Sequence, residues 1–96
     1  MLYAVICTDK PGSLPLRQEK RPDHLAHLQG LGDKLALAGP FTEDDGVTMN
    51  GSLVVIEAES AEEARALAEK DPFFVHGVFE KIEIRPWKWT LNNPNG

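Results

Sequence analysis

His24 and His27 stand three residues apart in "RPDHLAHLQ", residues 21–29, while Asp9, Asp71 and His76 sit in "TDKPG", "KDPFF" and "FVHG". An imidazole held by a carboxylate is a general acid or base near neutral pH, because the carboxylate fixes the tautomer and stabilises the charged ring. His24 with Asp71 is the pair the sequence offers for that work, and Asp9 is the other carboxylate that could serve His24. Asp71 also needs an explanation, since an anion closing a helix opposes the macrodipole. The plainer account makes Asp71–Pro72 turn chemistry and His24 a partly exposed helix residue. Residue types alone leave both accounts standing. His24 and His27 share a helix face, but no cysteine and no third spaced ligand joins them, so no metal centre is expected. Asp23 points off that line, and His76 follows a helix stop, at the rim. Ser52 follows Gly51 at a strand start, with no adjacent base to make it a nucleophile.

Composition narrows the classes further. The chain has 96 residues, a formal net charge of −5 and no basic cluster; "RPWKW" (85–89) holds only two positive charges. A nucleic-acid surface needs concentrated Lys and Arg, so none is expected. The single cysteine, Cys7, lies in an apolar run, which excludes an intramolecular disulfide and predicts a buried thiol. "MLYAVIC" is too short for a signal segment and no run reaches membrane-spanning length, so a soluble, cytoplasmic protein is expected. The length suits one domain over residues 1–96, with an irregular tail over about 88–96.

The elements that must position these residues follow from periodicity. "LYAVIC" (2–7) reads as a strand ended by "TDKPGS". A helix is expected from Pro22, with Leu25, Leu28 and Leu31 on its inner face, and residues 13–20 adding at most an earlier turn. "KLALAG" (34–39) is a second strand, residues 40–51 a polar loop, and "SLVVIEA" (52–58) a third strand. Ser60 and Glu63 form a capping box ahead of a helix that Asp71–Pro72 stops. "FEKIEI" (79–84) is the fourth strand. This β-α-β-β-α-β order predicts an α+β, ferredoxin-like antiparallel sheet of order 4-1-3-2 with both helices on one face. The central strands are the two with unbroken apolar runs, as burial on both faces requires. Something must then cover the helix-free face, and a second copy of the sheet is the economical cover. A homodimer is expected, consistent with the modest burial available to so short a chain. The same topology draws Asp9, Asp23, His24, His27, Asp71 and His76 towards one edge of the sheet.

With these residues placed, the chain resembles the YciI-like (YCII-related) family. The resemblance runs from Leu2 to Trp87 through "DKPGS", "RPDHLAHLQGL", "LALAGPF", "GSLVVIEAES" and "DPFFVHGVFEKIEIRPW". It implies a dimeric α/β barrel built from the sheets of two subunits, and a site centred on a histidine and an aspartate that fall on His24 and Asp71. It therefore favours the catalytic account of that pair. Arg21 and Ser52 fall on motif positions as candidate ligand contacts, as does Phe73, with Asp9 nearby. The resemblance implies a small-molecule ligand, lyase- or isomerase-like chemistry, and no metal or organic cofactor. The rival expectation is a non-catalytic module that binds a small metabolite at the same edge or regulates a partner.

Overall fold

In the computed structural model, which describes residues 1–94, the two apolar runs become neighbouring central strands. β1 (Leu2–Asp9) pairs antiparallel with β3 (Met49–Glu57), aligning Tyr3 with Ile56, Val5 with Val54 and Cys7 with Ser52. β2 (Leu35–Thr42) flanks β3 and β4 (Phe79–Trp87) flanks β1, giving the sheet order β2-β3-β1-β4, all antiparallel. That is the expected order read from its other edge. Three α-helices, α1 (Leu14–Gly30), α2 (Ala61–Glu69) and the short α3 (Pro72–Val75), and a 3-10 turn at Gly32–Lys34 complete the described residues.

Because side chains alternate along a strand, the sheet has two unlike faces. Tyr3, Val5, Cys7, Val54 and Ile56 point one way and pack with Leu28, Ala64, Phe73 and Val78 from the helices and their connections. Ala4, Ile6, Leu53 and Val55 point the other way, where no helix lies.

Several boundaries differ from those expected. α1 begins at Leu14, with Pro15 in its first turn, and runs unbroken through Pro22. A proline there removes a hydrogen bond and costs an isolated helix about 3 kcal/mol. The helix survives because buried residues anchor it on both sides: Arg17 before the proline, His24 and Leu28 after it. These three, spaced by seven and four, define the inner face. Leu25, expected on that face, is 39% exposed. β2 continues to Thr42 and β3 starts at Met49, which shortens the polar loop to residues 43–48. Pro40 is tolerated because β2 is an edge strand and lacks a partner on its outer side. For the same reason β4 passes through Pro86 to Trp87. α2 starts as expected, with Ser60 Oγ accepting a hydrogen bond from Glu63 N at 3.1 Å. α3 was not expected at all. Residues 88–94 form no regular element, and the last two residues of the expected tail lie outside the described ones. No helix among the described residues is long and apolar enough to cross a membrane.

Candidate functional site

Four pieces of chain meet at the end of β1: its last residue Asp9, the middle of α1, the start of β3, and the junction between α2 and α3. The junction explains Asp71. α2 has already ended at Glu69, and Asp71 is the N-cap of α3, its Oδ1 accepting from Phe73 N at 2.9 Å. The expected conflict with a helix C-terminus is therefore absent. At a helix start the partial positive charge of free N–H groups favours the anion. Pro72 suits the following position, where no N–H is required.

The same carboxylate holds His24. Nδ1 of the ring lies 2.7 Å from Asp71 Oδ2 and 2.9 Å from Oδ1. A carboxylate already taking an amide hydrogen accepts rather than donates, so Nδ1 carries the proton and donates it. His24 is 6% exposed and Asp71 5%. The imidazole stacks on the fully buried Phe73, ring centres 3.9 Å apart and planes 10° apart. Phe73 in turn meets Phe79 edge to face. The ring is thus fixed in plane by packing and in rotation by the acid. Among the described residues Nε2 has no protein partner, yet no buried side-chain nitrogen is left unpaired, so Nε2 is open to solvent.

Asp9 does not serve His24. It accepts from Arg17 twice, Nε to Oδ2 at 2.6 Å and Nη2 to Oδ1 at 3.2 Å. Arg17 is 2% exposed, and its Nη2 also donates to Gly51 O at 2.7 Å and Ser52 Oγ at 2.6 Å. Its Cζ lies 4.5 Å from the centre of the Phe73 ring that His24 stacks on. Arg17 is a site residue that the motifs of the sequence do not single out. The available signal was its spacing of seven from His24, which places both on one helix face.

A cavity of about 150 Å³ opens between α1 and the β2–β3 hairpin. Arg17, Arg21, His24 and Ser52 line it, with Leu25, Leu28, Pro40, Met49 and Val54 among its apolar walls. Of the residues singled out in the sequence, His24, Arg21 and Ser52 reach the cavity. Asp71, Asp9 and Phe73 stand behind the lining, holding His24 and Arg17. Asp23 and His76 are exposed, and His27 borders a separate void of about 20 Å³. Cys7 lies beneath the site. Burial, with the negative charges of Asp71 and Asp9 adding and Arg17 opposing, pushes its thiol up to about 12, so it is no nucleophile at neutral pH. Among the described residues no group of three or more His, Cys, Asp or Glu is placed to hold a metal ion.

A ferredoxin-like α+β scaffold with a histidine, a carboxylate and an arginine gathered at one sheet end defines the class. Within it, the model of the YCII-related domain matches residues 1–88, and the chain belongs to that family. It is 42% identical over 95 residues to protein YciI of Escherichia coli O6:H1, covering 92% of this chain and 97% of that one. Among solved structures it is similar to 5-chloro-2-hydroxyhydroquinone dehydrochlorinase from Burkholderia phenoliruptrix, in complex with 2,5-dihydroxybenzoquinone. The TM-score is 0.84 at 36% identity, over 97% of this chain and 99% of that one. A NIPSNAP family protein from Agrobacterium tumefaciens shares the fold alone, with TM-score 0.56 at 17% identity, over 97% and 95% of the two chains.

Proposed function

We propose that this protein is a small-molecule enzyme in which His24 moves a proton by Nε2 while Asp71 holds the ring. The observation that carries the reading is the division of labour on one imidazole: Nδ1 is engaged by a buried carboxylate, and Nε2 is left to a ring that lines a cavity. A neutral ring protonated on Nδ1 is a base at Nε2. Once it takes a proton, the Asp71 carboxylate stabilises the cation. The likeness to a dehydrochlorinase supports an elimination, in which a base removes a proton from one atom as a leaving group departs from another.

The functional unit in this reading is a homodimer forming an α/β barrel. What supports it is the helix-free sheet face, where Ile6 and Leu53 stay partly exposed beside the buried Ala4 and Val55, and which a second sheet would cover. Light scattering during gel filtration would then give twice the 10.6 kDa chain mass.

The catalytic test is turnover of 5-chloro-2-hydroxyhydroquinone, followed by chloride release and quinone absorbance. The wild type should turn it over, and His24→Ala and Asp71→Asn should each lose about 10²–10⁴ in rate, the range of general acid–base catalysis. Full activity in either variant refutes the assignment. Saturable binding without turnover by the wild type favours the metabolite-binding module instead.

A further inference from the structure

Leu25 sits between His24 and Leu28 on α1 yet takes no part in the core. Leu28 is 6% exposed and packs against the central strands, whereas Leu25 is 39% exposed and lies outside the core cluster. This leucine, which the fold does not bury, lines the cavity beside His24. The opposite wall is low. Ala38 and Pro40 of β2 pair with Val54 and Ser52, so their side chains share the helix-facing side of the sheet and reach the cavity. Gly39 between them adds no side chain, and all three are exposed. The mouth of the cavity is therefore bounded by an isobutyl group on one side, and by a methyl and a pyrrolidine ring on the other.

We propose that Leu25 is a specificity-determining residue, which selects substrates built on one six-membered ring with an apolar substituent standing at the mouth. The proposal deepens the reading above, and rests on it for this cavity being the substrate site. A cavity of about 150 Å³ with apolar walls is filled by a benzene-sized ring. Any further substituent on such a ring must then stand where the cavity opens, against Leu25. Its contact removes the exposed part of the leucine from water, a gain set by apolar area and independent of charge. Across the mouth, the Ala38 methyl leaves room for a chlorine or a methyl group, and a larger side chain there would not. The contact is the same before and during proton transfer, so it acts on KM and leaves kcat alone. Because the core does not use Leu25, replacing it leaves stability nearly unchanged and isolates the binding effect.

The test titrates the full chain with phenol, 4-methylphenol and 4-chlorophenol, all uncharged at neutral pH, and follows amide and leucine-methyl NMR signals. The two substituted phenols should shift the Leu25 methyls to saturation and bind about fourfold tighter than phenol, the gain from covering one methyl-sized group. Leu25→Ala should cut that preference below about twofold while its urea midpoint stays at the wild-type value. Leu25→Met, which keeps an apolar cover of similar volume, should restore the preference. Ala38→Leu should shut out the substituted phenols and still admit phenol. In turnover of 5-chloro-2-hydroxyhydroquinone, Leu25→Ala should raise KM about fourfold with kcat unchanged. The proposal falls if the phenols leave the cavity residues unperturbed or if Leu25→Ala keeps the preference. It falls too if the urea midpoint drops along with the preference, which would make Leu25 a structural residue. A preference lost in Leu25→Ala, with no turnover by the wild type, would sink the proton-transfer reading and keep this one. Turnover with a KM indifferent to Leu25→Ala would do the reverse.

Discussion

Replacing Asp71 separates its two duties. In Asp71→Asn the side-chain oxygen can still cap α3 by accepting from Phe73 N, since asparagine is as good an N-cap as aspartate. The other half of the side chain becomes an NH₂ facing His24 Nδ1, which now lies 2.7–2.9 Å from carboxylate oxygens. Two donors cannot share that space, so the ring must give up its Nδ1 proton and carry it on Nε2 instead. The cost to stability is small, about 1 kcal/mol, because every buried group keeps a partner. Asp71→Ala removes both duties. It loses a cap worth about 1 kcal/mol and strands a buried ring nitrogen at about 1–3 kcal/mol, a total of about 2–4 kcal/mol. For a domain of this length that is a fall in Tm of about 8–32 °C, against about 4–8 °C for the amide. Urea denaturation measures the stabilities, and long-range ¹H–¹⁵N correlation of the imidazole reads the tautomer. The reasoning fails if Asp71→Asn leaves the proton on Nδ1, or if Asp71→Ala costs under about 0.5 kcal/mol.

Three further outcomes follow from other contacts. The Cys7 thiol ionises near 9 when unfolded and about 12 when folded, so its contribution is whole below pH 9 and fades as pH rises towards 12. At pH 10.5 the wild type should therefore lose about 2 kcal/mol more than Cys7→Val does, relative to pH 8, by urea titration of each. Gly51→Ala would place a Cβ 2.5 Å from the Cys7 carbonyl oxygen, which is backbone and can yield only if β1 and β3 part. That variant should lose about 1–3 kcal/mol and shift the Arg17 guanidinium resonances, since Gly51 O is one of its acceptors. Ser60→Ala removes the cap of α2 and should lower Tm by about 4–8 °C, without altering the His24 imidazole signals.

Much of the scaffold was legible because its signals are local and redundant. The unbroken apolar runs of β1 and β3 declare central strands, and Ser60 with Glu63 declares the start of α2. His24 and Asp71, 47 residues apart, are joined by topology and by family resemblance; no local pattern links them. α1 runs through Pro22 against the sequence expectation, because a proline ordinarily marks a helix start or break and only tertiary anchors at Arg17 and His24 override it. α3 is four residues long, below the reach of any periodicity. Beyond its spacing of seven from His24, nothing in the sequence marks Arg17, for a related reason. An arginine in a helix reads as solvated unless its partners are known, and those partners come from β1 and the start of β3.

α1 is tied to the rest of the molecule at two depths, by Arg17 to β1 and β3 and by His24 to the turn ahead of α3, with the proline between. A roll of that helix about its long axis would break both fastenings together, and a slide along it would do the same. A ligand of the proposed site would then have to enter past the exposed lining residues Arg21 and Leu25 while the frame stays still. Amide protons on either side of Pro22 should then exchange in a single cooperative opening, making the segment that sequence patterns divide in two one kinetic unit.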